Sequence, residues 1–198
     1  MDIMSIIDIL VEQCRKPQGL LGKSMIKIMN VADVGFTNLV LNKIDLPVNK
    51  ILDIGCGGGK TVYKLSKKYP SSYIFGVDYS KDAIEVAKER NKEEVKNGRV
   101  NILQGDVLDL PFENEMFGYI IAIRTHYFWN DLEKALMEIR LKLEQGGKLI
   151  ICSEKYKIEY HIKDYNTNEL LIKLLKDVGF SKVELVEKQN NICVIAER

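Results

Sequence analysis

Lys50-Ile51-Leu52-Asp53-Ile54-Gly55-Cys56-Gly57-Gly58-Gly59-Lys60-Thr61 is the stretch that decides how this chain folds. Ile51, Leu52 and Ile54 form a short apolar run that reads as a strand; it ends in glycines, and Thr61-Val62-Tyr63-Lys64-Leu65 beyond them reads as a helix. A strand feeding a helix through glycines brings backbone close to a ligand in an open α/β sheet. Glycine accepts positive φ and has no Cβ to block the approach. A G-x-x-x-x-G-K-[ST] phosphate loop finds its end in Gly59-Lys60-Thr61, but its first glycine falls on Ile54. A G-x-G-x-x-G dinucleotide turn counted from Gly55 and Gly57 puts its third glycine, a position that varies, on Lys60. Only D-x-G-x-G-x-G is met in full, by Asp53, Gly55, Gly57 and Gly59. Its acid suits a ligand without phosphate and with a cationic, amine-bearing tail.

Outward from this turn the chain alternates strands and helices. Residues 61–68 read as a helix closed by Tyr69-Pro70, and residues 72–78 as a second apolar strand ending in Asp78. That acid lies about 20 residues past the first glycine, where a carboxylate accepts from both hydroxyls of a ribose. Ser80 caps a helix with Asp82 in its first turn and Gly98 after its end. Residues 99–104 form a third strand and lead into Gly105-Asp106-Val107. Residues 105–116, with Pro111 and Asn114, are too irregular for a helix. Recrossing three strand gaps needs only about 14 Å, which a dozen extended residues span easily.

Residues 117–125 form a fourth strand, continuous in Tyr119, Ile120, Ile121, Ala122 and Ile123, as a strand covered on both faces should be. It runs into Arg124-Thr125-His126-Tyr127-Phe128-Trp129, an aromatic cluster at the end of the sheet where such folds build their pockets. Asn130 and Glu133 make a capping-box pattern before a helix whose face carries Leu132, Leu136, Ile139 and Leu143. Gly146-Gly147 turns into strand five, residues 148–153. A helix over 168–178 ends at Gly179-Phe180, and residues 182–188 and 192–197 pair as a hairpin through Asn190-Asn191.

Residues 1–47 precede the sheet. Ile3, Ile6, Ile7, Leu10, Val11 and Cys14 recur at helical spacing, Pro17, Gly19 and Gly22 break the pattern, and residues 23–30 and 33–42 resume it, with Gly35 and Pro47 as punctuation. These helices cover the sheet or close over the pocket as a lid. At 198 residues one domain is expected, and a net charge of +1 gives no footprint for nucleic acid or an anionic membrane. The four cysteines form no C-x-x-C pair and there are two histidines, so zinc is not expected and free thiols in a cytoplasmic protein are. Asp2, Asp8 and Glu12 interrupt the apolar N-terminus, which reads as neither signal peptide nor membrane span.

From Lys50 onward the glycine turn, the acids Asp53, Asp78 and Asp106, and the element order resemble the class I S-adenosylmethionine (SAM)-dependent methyltransferases of small-molecule type. The resemblance implies a three-layer α/β/α Rossmann-like fold. Its seven-stranded, mostly parallel sheet has order 3-2-1-4-5-7-6 with strand seven antiparallel, and a helical lid (1–47) covers the SAM-binding unit (48–198). It places the cofactor against Asp53, Gly55, Cys56, Gly57 and Gly59, with Asp78 and Tyr79 at the ribose side, Asp106 and Val107 at the adenine, and Arg124 after strand four. S-adenosylhomocysteine is then the product. His126, Tyr127 and Trp129 are expected at the acceptor, with His126 as a candidate general base. The proline usual before Gly146 is Gln145 here. Arg124-Thr125-His126-Tyr127 is not the [ND]-P-P-[YF] of enzymes that methylate nucleic-acid bases or protein glutamine, and no Pro-Cys pair supplies a cytosine-C5 nucleophile. Ser153-Glu154-Lys155 lacks the Asp-Asn pair of magnesium-dependent relatives, so no metal is expected. The reading is a metal-independent methyltransferase with a small-molecule acceptor. A non-catalytic SAM-binding or partner-subunit domain is the alternative, and a nicotinamide dehydrogenase a third reading. The acceptor and the oligomeric state stay open.

Overall fold

The computed structural model describes residues 11–13, 15, 16, 18, 19, 22, 24, 25, 34–162 and 164–198. The expected stripe over 3–14 therefore lies outside the described residues except at its end, where residues 11–13 are helical. Helical structure returns by Gly19 and Gly22, earlier than the glycines led one to expect, with Gly22 N–H donating to Gln18 C=O at 3.0 Å.

The described elements begin with α1 (Val34–Leu41), β1 (Lys50–Ile54), α2 (Lys60–Lys68), β2 (Tyr73–Asp78), α3 (Lys81–Arg90), α4 (Lys92–Lys96) and β3 (Val100–Gln104). They continue with β4 (Phe117–Ile123), a 3-10 turn (His126–Phe128), α5 (Leu132–Lys142), β5 (Leu143–Glu154), α6 (Lys155–His161), α7 (Asn168–Val178), β6 (Val183–Lys188) and β7 (Asn191–Glu197). The seven strands hydrogen-bond in the order β3-β2-β1-β4-β5-β7-β6. All pairs are parallel except those of β7 with β5 and β6. This is the expected sheet, and the recrossing from β3 to β4 is made without a helix.

Two apolar layers sandwich the sheet because side chains alternate along each strand. Leu52, Ile54, Ile120 and Ile151 pack with Leu136, Ile139 and Leu175 of α5 and α7. Ile51, Ile121 and Ile150 pack on the opposite face with Val40, Val62 and Ile84 of α1, α2 and α3. Every residue of β4 is buried. Phe117 at its start meets Phe75 and Phe112 edge to face at 5.3 and 5.1 Å, and its truncation to alanine would cost about 3–5 kcal/mol. No helix among the described residues is long and apolar enough to cross a membrane.

Four local readings change. The helix after Ser80 is split at Asn91, which is fully buried and donates through Nδ2 to Ala87 C=O at 2.8 Å and Gly59 C=O at 3.0 Å. The cap of α5 is Asp131, whose Oδ1 accepts from Lys134 N–H at 3.0 Å, rather than Asn130, which accepts from Arg15. Strand five starts at Leu143, and α6 follows it where no element was expected. Cys152 and Cys193, remote in sequence, face each other across β5 and β7 as free thiols with their sulfurs 2.9 Å apart.

Candidate functional site

A cavity of about 370 Å³ opens over the carboxyl ends of β1, β2 and β4, and the glycine turn forms its floor. Asp53 is 2 % exposed one residue before the end of β1. The backbone then leaves the sheet, and the N–H groups of Gly55 and Cys56 both donate to Val77 C=O at 2.8 and 3.0 Å. The three motif glycines adopt positive φ, 68° at Gly55, 50° at Gly57 and 70° at Gly59. A Cβ on Gly55 would stand 2.3 Å from Thr125 Oγ1, and one on Gly59 would stand 2.9 Å from Ala87. At Gly57 a Cβ would meet nothing within 4 Å, because that glycine faces the open cavity.

Asp78 ends β2 and clips the turn. Its Oδ2 accepts from Gly57 N–H at 2.8 Å and its Oδ1 from Ser80 N–H at 2.9 Å. Burial nevertheless holds its carboxyl above the ordinary range, outweighing both N–H groups. The Cys56 thiol is pushed well up by burial and then by Asp78 and Asp53, so it stays protonated and is no nucleophile. From β3 the chain turns under the cavity as Asp106 Oδ1 accepts from Leu108 N–H at 3.0 Å, and Gly105, Asp106 and Val107 join the lining.

The other end is aromatic. Arg124 takes φ 56° as the chain leaves β4, and its guanidinium pairs with Glu154 at the end of β5 at 3.1 and 3.0 Å. Tyr127, Phe128 and Trp129 line the cavity. His126 does not: it is 0 % exposed behind that wall, its ring edge-on to Tyr127 and Trp129 at 5.4 and 6.2 Å. Burial lowers its pKa to about 3, and neither ring nitrogen has a hydrogen-bond partner among the described residues. His126 was expected at the acceptor, and the structure places its ring behind the lining of the cavity instead.

Of the other expected residues, Asp53, Gly55, Cys56, Gly57, Asp78, Tyr79, Asp106, Val107, Arg124, Tyr127 and Trp129 meet in the one cavity. Gly59 lies behind the turn against α3. Sequence reasoning missed Lys157 on α6, whose Nζ donates to the Tyr127 hydroxyl at 3.4 Å, and His161, stacked on the Tyr127 ring at 5.3 Å. The available signal was position, since whatever follows a central strand sits at the pocket. It also missed Glu12, Arg15 and Lys16, which line the cavity from the N-terminal segment. Lys16 stands over the Tyr79 ring at 4.6 Å, Gly19 N–H donates to Asp82 at 2.6 Å, and Arg15 bonds Asn130. This segment therefore bridges the two rims of the cavity.

Comparison with known proteins fits this geometry. The family model described as "Methyltransferase domain" matches residues 51–147. YrhH of Bacillus subtilis, named as a methyltransferase, is 27 % identical over 163 residues, covering 80 % of this chain and 84 % of that protein. An O-methyltransferase of Pyrenophora dematioidea is 30 % identical over 167 residues, covering 77 % of this chain, which spans only 62 % of that relative. The crystal structure of a SAM-dependent methyltransferase from Aquifex aeolicus superposes with a TM-score of 0.73 at 20 % identity over 88 % of this chain and 97 % of that one, a likeness of fold.

Proposed function

We propose that this chain is a class I SAM-dependent methyltransferase that methylates a small molecule without the help of a metal, a reading supported by the methyltransferase-domain match and by YrhH. The observation that carries the reading is the continuity of one cavity from the glycine turn and Asp78 to the aromatic end. The residues fit the cofactor. Gly57 leaves open space where a side chain would stand, and Asp78 is a desolvated carboxylate that gains from hydroxyl donors such as those of a ribose. Asp53 suits the amino end of the methionine tail, and Asp106 with Val107 suits the adenine edge. Tyr79 and Arg124 stand at the two rims, where Cys56 adds only its backbone and neutral bulk.

When bound, the sulfonium supplies a methyl group with a built-in leaving group, so the protein's task is placement and exclusion of water. Tyr127, Phe128 and Trp129 form the acceptor wall, and an aromatic surface suits a reaction in which charge is neutralised. His126 supports this wall from behind. Glu154 is committed to Arg124 and Lys157, which supports transfer without a metal. The name of the Pyrenophora relative favours oxygen as the atom methylated. Residues 1–47 act in this reading as a lid, and the bridge made by Arg15, Lys16 and Gly19 supports it.

The test is ligand-dependent melting. S-adenosylhomocysteine at a hundredfold excess over its Kd should add about 2.7 kcal/mol of stability, whereas NAD and ATP should add nothing. Stabilisation by NAD and none by S-adenosylhomocysteine would overturn the proposal.

A further inference from the structure

Lys157 brings a cation to the aromatic end of the cavity. Its Nζ donates to the Tyr127 hydroxyl at 3.4 Å and stands 5.6 Å from the centre of that ring. Glu154 lies 3.8 Å from Nζ, yet the Arg124 guanidinium holds the two oxygens of the same carboxylate more closely. One carboxylate thus serves two cations. On the N-terminal segment, Arg15 and Glu12 line this cavity and pair with each other at 3.6 Å. His161, stacked on Tyr127, is held below its ordinary pKa by burial first and by Lys157 second. No imidazole among the described residues lines the cavity. Lys157 is then the charged side chain beside the aromatic wall that an acceptor would meet.

We propose that Lys157 receives the methyl acceptor as an oxyanion, the deprotonated hydroxyl of a phenol-like aromatic ring, with the ring lying against Tyr127, Phe128 and Trp129. This rests on the methyltransferase reading above and adds the chemical class of its acceptor. An ammonium within about 4–6 Å lowers the pKa of such a hydroxyl by about 1–3 units, so the proton leaves to solvent on binding and no protein base is needed. A lone pair of that oxygen forms the O–C bond while the methyl group's C–S bond breaks. Anion and sulfonium become a neutral ether and a neutral thioether, and the balance closes without any oxidant or metal.

The probe is 4-nitrophenol, whose phenolate is coloured, titrated with pH in the presence of protein saturated with S-adenosylhomocysteine. The bound phenol should ionise at a pH at least about 1 unit below the free one. Lys157→Gln should abolish that shift and Lys157→Arg should keep most of it, while calorimetry finds S-adenosylhomocysteine affinity unchanged within twofold in both. 4-Nitroaniline, of the same shape but uncharged, should bind the wild type and Lys157→Gln alike. A nitrophenol that does not bind the S-adenosylhomocysteine complex, that binds with an unchanged or raised pKa, or that shifts equally in Lys157→Gln overturns the proposal. A wild type that fails to bind S-adenosylhomocysteine refutes the cofactor reading instead, and calorimetry without any phenol reports that separately.

Discussion

Replacing His126 with leucine should make the protein more resistant to acid. In the folded chain this imidazole is fully buried and titrates at about 3 instead of 6.5 because burial disfavours its charged form. In the unfolded chain it titrates normally. As pH falls below about 6.5, only the unfolded state takes up the proton, so stability is lost progressively until the folded pKa is reached. Each pH unit inside that window costs about 1.4 kcal/mol, and integration gives a loss of about 2 kcal/mol between pH 7.5 and pH 5. For a chain of this length that is about 4–8 °C in melting temperature. Carboxylates add their own acid dependence, so the informative quantity is the difference between wild type and His126→Leu in urea unfolding at the two pH values. The wild type should lose about 2 kcal/mol more than the variant. Equal losses would mean that the ring is solvated or hydrogen-bonded in solution and that its placement behind the aromatic wall is wrong.

Other expectations follow from the same geometry. Asp78→Ala should weaken S-adenosylhomocysteine binding at least tenfold in calorimetry, and should cost about 1–3 kcal/mol of stability by stranding the N–H groups of Gly57 and Ser80. Gly57→Ala and Gly55→Ala should separate in paired melting and binding measurements. The first carries a backbone penalty of about 1–2 kcal/mol and blocks the ligand, whereas the second adds a clash with Thr125 and should destabilise further even without ligand. If residues 12–19 act as a lid, their amides should exchange more slowly with S-adenosylhomocysteine bound; equal exchange would make them a fixed cover.

Sheet order was legible through the family resemblance that the glycine turn and the three acids carry. Asp53, the motif glycines and Asp78 stand at the spacings of a known ligand-binding turn, and β4 is apolar throughout because both its faces are covered. What could not be read were contacts made by polar side chains across the sheet ends. Asn91 looks like any helix-surface asparagine, yet its amide bonds Gly59 and breaks the helix. His126 and Tyr127 are neighbours with one aromatic pattern, and only the 3-10 turn sends one behind the wall and the other into the cavity. Lys157 sits in a charged run, Lys155-Tyr156-Lys157, with no apolar period to announce α6, so only its place after strand five pointed toward the pocket.

The double grip of Asp78 on Gly57 and Ser80 has a kinetic meaning. Both bonds are made between the protein's own groups, so the floor is held by the chain itself. If the N-terminal bridge from Asp82 to Asn130 is the lid proposed above, it parts to admit the cofactor. Association should therefore be gated by that parting, at a rate common to SAM and S-adenosylhomocysteine. Any difference in their affinity would then lie in how long each one stays. Stopped-flow measurements that gave the two ligands different entry rates and equal residence times would show that the floor, not the bridge, is what moves.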